Sequence, residues 1–238
     1  MSSNFIDFED PKDLPIYRVM PMKRLVDLLS SHKLVLLKPS KWEDPFENQL
    51  LSSDIFIDND KAAVEAKNSV YGQCWTLNEE SDAMWRIYSH DKDGVRIKTT
   101  PRKLLEALKK TAKYPDITCF IGKVKYLPIK ELGNELREID LFESSGSGIA
   151  NSLLYKRLEF LHENEVRLIY IGEDGKCNSD LYPFEIDPLE LIEEITFDPR
   201  ASENEIDQHT QTIRSKGYTG VVNISELYKS PKKLSISL

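Results

Sequence analysis

"HENEVRLIY", residues 162–170, sets two glutamates one residue apart at the head of a run rich in strand-forming side chains. Side chains alternate along a strand, so Glu163, Glu165 and Arg167 are expected on one face and Asn164, Val166, Leu168 and Tyr170 on the other. Like charges on one face repel unless something uses them. Two readings follow. Either this is a strand end at a solvated edge with Arg167 neutralising Glu165, or it is a Glu-x-Glu that opens a strand beside an active site.

Working outward, "IANSLLYKRLEFL" (149–161) carries Leu154, Leu158 and Leu161 at i, i+4 and i+7, which predicts a helix delivering the chain to the glutamates. Before it, "ESSGSGIANS" (143–152), with Gly146 and Gly148 among serines, reads as a flexible loop. After the strand, "EDGKCN" (173–178) reads as a hairpin turn into a strand at "SDLYPFEI" (179–186).

Further upstream, Leu25, Leu28 and Leu29 predict a helix in "PMKRLVDLLSSH" (21–32), and "KLVLLKP" (33–39) a strand stopped by Pro39. Strands are expected at 71–77, 94–100 and 118–127, with helices at 81–89 and 101–113. In "ASENEIDQHTQTIRSKG" (201–217), Ser202 and Glu205 form a capping-box pattern and Gly217 a stop. Strands at 218–224 and 232–238 close the chain. Strands outnumber a regular βαβ rhythm, so the expectation is one α+β domain over 1–238, a mixed or split β-sheet core flanked by helices.

The 238 residues have a net charge of -8 and a pI near 5.2, which opposes wholesale binding to nucleic acid or an anionic membrane. Cys74, Cys119 and Cys177 are odd in number and lack zinc-ligand spacing, a pattern of reduced, cytoplasmic usage. No run of 18 apolar residues and no apolar leader is present, so neither membrane insertion nor secretion is expected. There is no Gly-rich phosphate loop, and His32, His90, His162 and His209 lie in no nucleophile context.

Three other stretches carry candidate chemistry. Tyr17-Arg18 precedes a helix begun at Pro21, where a guanidinium fork and a helix N-terminus would together suit a phosphate or carboxylate, although a structural salt bridge is the commoner use of such an arginine. "PSKWEDPFENQ" (39–49) crowds Trp42, Asp44, Phe46 and Glu47 into an aperiodic loop that is expected to be anchored to the body. Trp75 and Thr76 at a strand end, near Met84, Trp85 and Tyr88 on a short helix, would suit a flat heteroaromatic ligand or simply fill the core.

Taken together, Tyr17-Arg18, Asp44 to Glu47, Cys74, Met84, Trp85, Tyr88, Gly94, Glu163, Glu165 and Arg167 resemble an uncharacterised bacterial family, the domain of unknown function 2971. That pattern runs Tyr-Arg, Asp-Pro-Phe-Glu, Cys-Phe-Ser, Met-Trp-x-x-Tyr-x-x-x-x-x-Gly, Glu-x-Glu-x-Arg. Trp75 and Thr76 stand where Phe and Ser are usual, keeping an aromatic and a hydroxyl. The order of arginine, Cys-Trp-Thr and Glu-x-Glu is also similar to the Arg, Ser-Thr-Ser and Glu-x-Glu order of toxin-type ADP-ribosyltransferases.

The second resemblance implies an ADP-ribosyltransferase-like fold and NAD as substrate, with no metal. Glu165 would bond the ribose 2′-hydroxyl and stabilise an oxocarbenium-like transition state, and Glu163 would orient the acceptor. Arg18 would hold the pyrophosphate, Thr76 would support Glu165, and Trp75 or Tyr88 would stack on a ring. Tyr17 and Trp85 complete the cofactor-binding set, with Asp44, Phe46 and Glu47 as loop support. The expected activity is that of an NAD-dependent ADP-ribosyltransferase or NAD glycohydrolase, a toxin or phage-defence effector. Its acceptor would be an unidentified protein or nucleic acid, and a cognate antitoxin or defence partner is expected. The alternatives are a non-catalytic binding module of the same fold, and a metal-dependent nuclease using Asp44, Glu163 and Glu165.

Overall fold

The computed structural model describes residues 4–8, 14–57, 60–62, 65–172 and 179–231. In chain order these form β1 (Phe5–Ile6), β2 (Ile16–Pro21), α1 (Met22–Ser31), β3 (Lys33–Leu37), α2 (Gln49–Ser52), β4 (Ile55–Ile57), β5 (Asp60–Ala62) and β6 (Val70–Thr76). There follow α3 (Asp82–Tyr88), β7 (Gly94–Thr99), α4 (Pro101–Lys109), α5 (Pro115–Thr118), β8 (Cys119–Lys123), β9 (Lys125–Leu127), α6 (Ile129–Arg137), α7 (Ser147–Ser152) and β10 (Tyr155–Arg157). The chain continues with β11 (Glu165–Ile171), β12 (Leu181–Glu185), α8 (Pro188–Leu191), β13 (Glu194–Phe197), α9 (Glu203–Ser215) and β14 (Val221–Ile224).

The fold is α+β. Its main sheet runs β1-β8-β11-β6-β2-β7-β13-β14, with β3 beside β6 and β12 beside β3. The β1–β8 and β13–β14 pairs are parallel and the other pairs antiparallel, so the sheet is mixed. It is also split. β2 runs along β7 for its whole length but meets β6 only where Tyr17 faces Thr76. On the same edge of β6, β3 pairs only where Leu37 faces Gly72. Between these two points the edge of β6 is left open.

Helices cover both faces. Leu25, Leu28 and Leu29 of α1 and Leu104, Leu105 and Leu108 of α4 pack with Ile16, Ile97, Trp75, Val166 and Leu168 in the larger core. Each side chain so buried contributes about 1.5–3 kcal/mol. On the opposite face Ala150, Leu153 and Leu154 pack on Phe120, Ile169 and Ile171. The capping box of α9 is formed as read, with Ser202 and Glu205 bonding each other's backbone amides.

The structure departs from the sequence reading around the glutamates. β11 is a central strand between β6 and β8 and is buried along its entire length, so it is no solvated edge. Glu163 lies outside the strand, at the end of a 3-10 helix (Leu158–Glu163), and Asn164 adopts a left-handed conformation (φ 46°) that an asparagine tolerates. The helix expected over 149–161 is broken into α7, β10 and that 3-10 turn, because Leu158 and Leu161 find no core and stay exposed.

The stretch 143–152, expected to be flexible, folds into a turn and α7. Gly146 takes the left-handed conformation (φ 76°), and Gly148 packs so closely that a Cβ there would lie 1.7 Å from the Asp140 carbonyl oxygen. β12 pairs with β3 instead of forming a hairpin with β11, while the turn at 173–178 and the strand at 232–238 lie outside the described residues. No helix among the described residues is long and apolar enough to cross a membrane.

Candidate active site

The open edge of β6 is the wall of a cleft of about 850 Å³ that continues into a recess of about 110 Å³. Arg18 of β2, Cys74 of β6, Tyr88 of α3, Glu163 and Glu165 line both. Tyr17, Val19, Trp75, Thr76 and Met84 complete the recess, and Trp42, Asp44, Glu47, Lys156, Phe160 and His162 are among the lining of the larger cleft. The structure therefore brings the arginine, the threonine and both glutamates to one place.

Arg18 is half-buried and, among the described residues, takes part in no ion pair or side-chain hydrogen bond. Burial pushes its pKa below the ordinary value, and no carboxylate counters this. The salt-bridge reading of Arg18 therefore fails. As read, Arg18 lies on the strand that leads into α1. Arg18 is mid-strand, opposite Ile97, and the first amide of α1 donates to the Asp93 carbonyl (Met22 N to O, 3.2 Å).

At the other side of the cleft, three buried carboxylates surround two buried cations. Lys156 Nζ donates to Glu163 Oε2 and to Glu165 Oε1 (2.7 Å) and lies 3.2 Å from Glu47 Oε1. Arg167, fully buried, donates from Nε to Glu165 Oε2 (2.7 Å), from one terminal nitrogen to Glu47 and from the other to the Leu153 carbonyl (2.7 Å). The Trp42 ring lies 4.6 Å from the Arg167 guanidinium carbon and rests on Gly72, where a Cβ would come within 2.6 Å of the indole. That close approach is what requires glycine at position 72.

The two glutamates differ electrostatically. Burial raises the Glu165 carboxyl, but the Arg167 guanidinium and hydrogen bonds from its neighbours outweigh burial and hold it well below the usual carboxylate range. Burial first, and then the hydrogen bond with Glu165, push Glu163 up to about 8, against the pull of Lys156. Arg167 reaches Glu165 and not Glu163, so the proton belongs on Glu163 and the permanent charge on Glu165. Burial also raises the Glu47 carboxyl, against the pull of Arg167 and Lys156.

The corner that presents them is held by backbone. Thr76 Oγ1 donates to the Glu163 carbonyl (2.6 Å) and accepts from the Asn78 N–H (3.0 Å), and Asn78 Nδ2 donates to the His162 carbonyl (2.8 Å). The Glu165 N–H donates to Tyr126 Oη (2.8 Å). Thr76 thus supports the chain at Glu163 and not the Glu165 carboxylate.

Several expected roles fall away. Trp75 borders the recess, but its indole is sealed in the larger core and donates to Gln73 Oε1 (2.8 Å). It alternates with Thr76 across the sheet, so its ring cannot stack on a ligand beside Glu165. Trp85 is fully buried with Val19 and Met84. The Tyr17 ring already faces the Arg96 guanidinium at 4.9 Å, whereas Tyr88 stays 41% exposed and open to a ligand.

Asp44 accepts from Arg157 (3.2 Å) and from the Phe46 N–H (3.1 Å), and the Arg157 guanidinium lies over the Phe46 ring. Glu47 instead belongs to the charge cluster. For the nuclease alternative, Asp44 is paired with Arg157, and Glu163 and Glu165 are both paired with Lys156. Among the described residues no group of His, Cys, Asp or Glu is arranged to hold a metal ion. Lys156, Tyr126 and Asn78 were missed in the sequence, because nothing in their spacing marks them and only the folding of separate segments brings them to the glutamates.

No curated protein matches the chain. Among solved structures, the chain is similar to Thermus sp. 2.9 DarT in complex with NAD+, at 12% identity and a TM-score of 0.43 over 91% of this chain and 97% of that one. It is likewise similar to Thermus sp. 2.9 DarT in complex with ADP-ribosylated ssDNA, at 12% identity and a TM-score of 0.44 over 91% and 96% of the two chains. Residues 84–168, from Met84 of α3 to Leu168 of β11, match the model of a family described as "Protein of unknown function (DUF2971)".

Proposed function

We propose that the cleft binds NAD and cleaves its nicotinamide glycosidic bond, transferring ADP-ribose to an acceptor or to water. The observation that supports this reading is a half-buried Arg18 that has no anionic partner among the described residues, in the same cleft as a carboxylate kept ionised, Glu165. An unpaired guanidinium takes an oxyanion such as a pyrophosphate, and a fixed carboxylate stabilises a centre that becomes cationic in the transition state. NAD joins both features in one molecule. Tyr88, exposed at the mouth, offers a face for stacking.

In the reaction the C1′–N bond breaks and its electron pair leaves with neutral nicotinamide. The resulting oxocarbenium is stabilised by Glu165. An oxygen of the acceptor bonds to C1′ and passes its proton to the ionised Glu163 carboxylate, whose raised pKa lies near the working range of a general base, while water in the acceptor's place bonds to C1′ and releases its proton to solvent. An enzyme that spends or redirects NAD suits a toxin or phage-defence effector with a cognate antitoxin.

Calorimetric titration tests the first step. NAD and ADP-ribose should both bind the wild-type protein, since both carry the pyrophosphate, and Arg18→Leu should bind each at least about tenfold more weakly. Binding that ignores Arg18 contradicts the reading.

A further inference from the structure

Lys156 belongs to none of the motifs that mark the cleft, yet its ammonium is where three carboxylates meet: Glu47 before α2, Glu163 on the 3-10 turn and Glu165 at the start of β11. It sits on β10, which pairs with β9 alone and with no strand of the main sheet. In that ribbon Lys156 stands opposite Tyr126, the residue whose hydroxyl accepts the Glu165 N–H. One two-stranded ribbon therefore grips both the Glu165 backbone and the two carboxylate heads. Arg167 contacts Glu165 and Glu47, so Lys156 is the one cation on Glu163 among the described residues.

Resting on the NAD reading above, we propose that Lys156 is a positioning residue of the transfer reaction, holding the Glu163 carboxyl against Glu165 and thereby governing when Glu163 can accept the acceptor's proton. Lys156 from β10, Glu165 from β11 and the hydroxyls of Tyr88 from α3 and Tyr126 from β9 act on Glu163, and Arg18 of β2, Cys74 of β6 and His162 line the same cleft. Both tyrosines are raised above their ordinary values, burial being the main cause, and Glu165 is held ionised. Arg167 and Glu47 stand one contact further away, bound to each other and to Glu165 and Lys156. Glu163, pushed up to about 8, changes charge near neutrality.

The test follows Glu163 by ¹³C carboxyl NMR across pH, beside the pH profile of transfer. Lys156→Met keeps the aliphatic stem and deletes the charge, so the Glu163 midpoint should move up by about one pH unit or more, and the alkaline rise of transfer should move with it. Lys156→Arg should return both toward wild type. In the wild-type protein, which needs no substitution, the Lys156 Nζ resonance should shift with the Glu163 midpoint. A Lys156 signal blind to Glu163, or a midpoint unmoved in Lys156→Met, overturns the proposal. Intact NAD after incubation with wild-type protein overturns the functional reading and this proposal with it, whereas active enzyme with an unmoved midpoint overturns this proposal alone.

Discussion

Arg167 Nε lies 2.7 Å from Glu165 Oε2, two residues apart on the same strand, with the guanidinium fully buried. Neighbours at i and i+2 share a face of a strand, so the pair forms without any rearrangement of the backbone. It supplies Glu165 with a fixed charge while leaving Glu163 outside its reach.

Removing Arg167 should therefore damage the fold as well as the cleft. Arg167→Met strands Glu165 and Glu47 in the interior and is expected to cost about 3–5 kcal/mol, as urea denaturation would read. A variant that unfolds at the wild-type midpoint would show that the cluster is wetter than this geometry implies.

Arg18 predicts the opposite pattern. Its guanidinium has no ion pair to lose among the described residues, so Arg18→Leu should melt at or above the wild-type temperature while NAD affinity falls. Arg18→Lys keeps the charge without the planar fork and should weaken NAD by about 1–3 kcal/mol. A large drop in melting temperature in either variant would reveal a structural role.

The raised Glu163 carboxyl has a signed effect on stability. Between the ordinary carboxylate range and about 8 the folded state holds a proton that the unfolded state has released, so stability falls as pH rises through that window. Glu163→Gln lacks the proton and should flatten this slope. Glu165, shifted down, acts the other way, and its contribution is lost only as the solution becomes acidic enough to protonate unfolded carboxylates. Denaturation midpoints of the two proteins from pH 5 to 9 decide it, and parallel curves would contradict the assignment.

Helices α1 and α4 and the capping box of α9 were legible because apolar spacing and cap chemistry are local. The convergence of Arg18, Thr76 and the glutamates was legible in part, through motif order. What misled was context. Trp75 looks like a ligand platform in the sequence, but β6 is covered on both faces, so its indole fills the core. The period-two spacing puts Glu163 on one strand face with Glu165, and only the left-handed Asn164 between them shows that two different elements aim them at Lys156. Lys156 itself could not be read, since its partners come from segments brought together only by the fold.

The ordered course of 143–152 can be tested separately. Gly148→Ala would press a methyl group into the Asp140 carbonyl and should cost about 1–3 kcal/mol. A neutral outcome would mean that this stretch yields easily.

The measurement that bears most directly on the whole account is nicotinamide release from NAD, quantified chromatographically in EDTA, for wild type, Glu165→Gln and Glu163→Gln. Wild type should release nicotinamide, and Glu165→Gln should do so about 10²–10³ times more slowly while binding NAD almost as well. Glu163→Gln should keep slow hydrolysis to ADP-ribose and lose transfer to an acceptor. No release by folded wild-type protein, or equal release by wild type and Glu165→Gln, would contradict the assignment of Glu165 as the charge that stabilises the ribosyl cation.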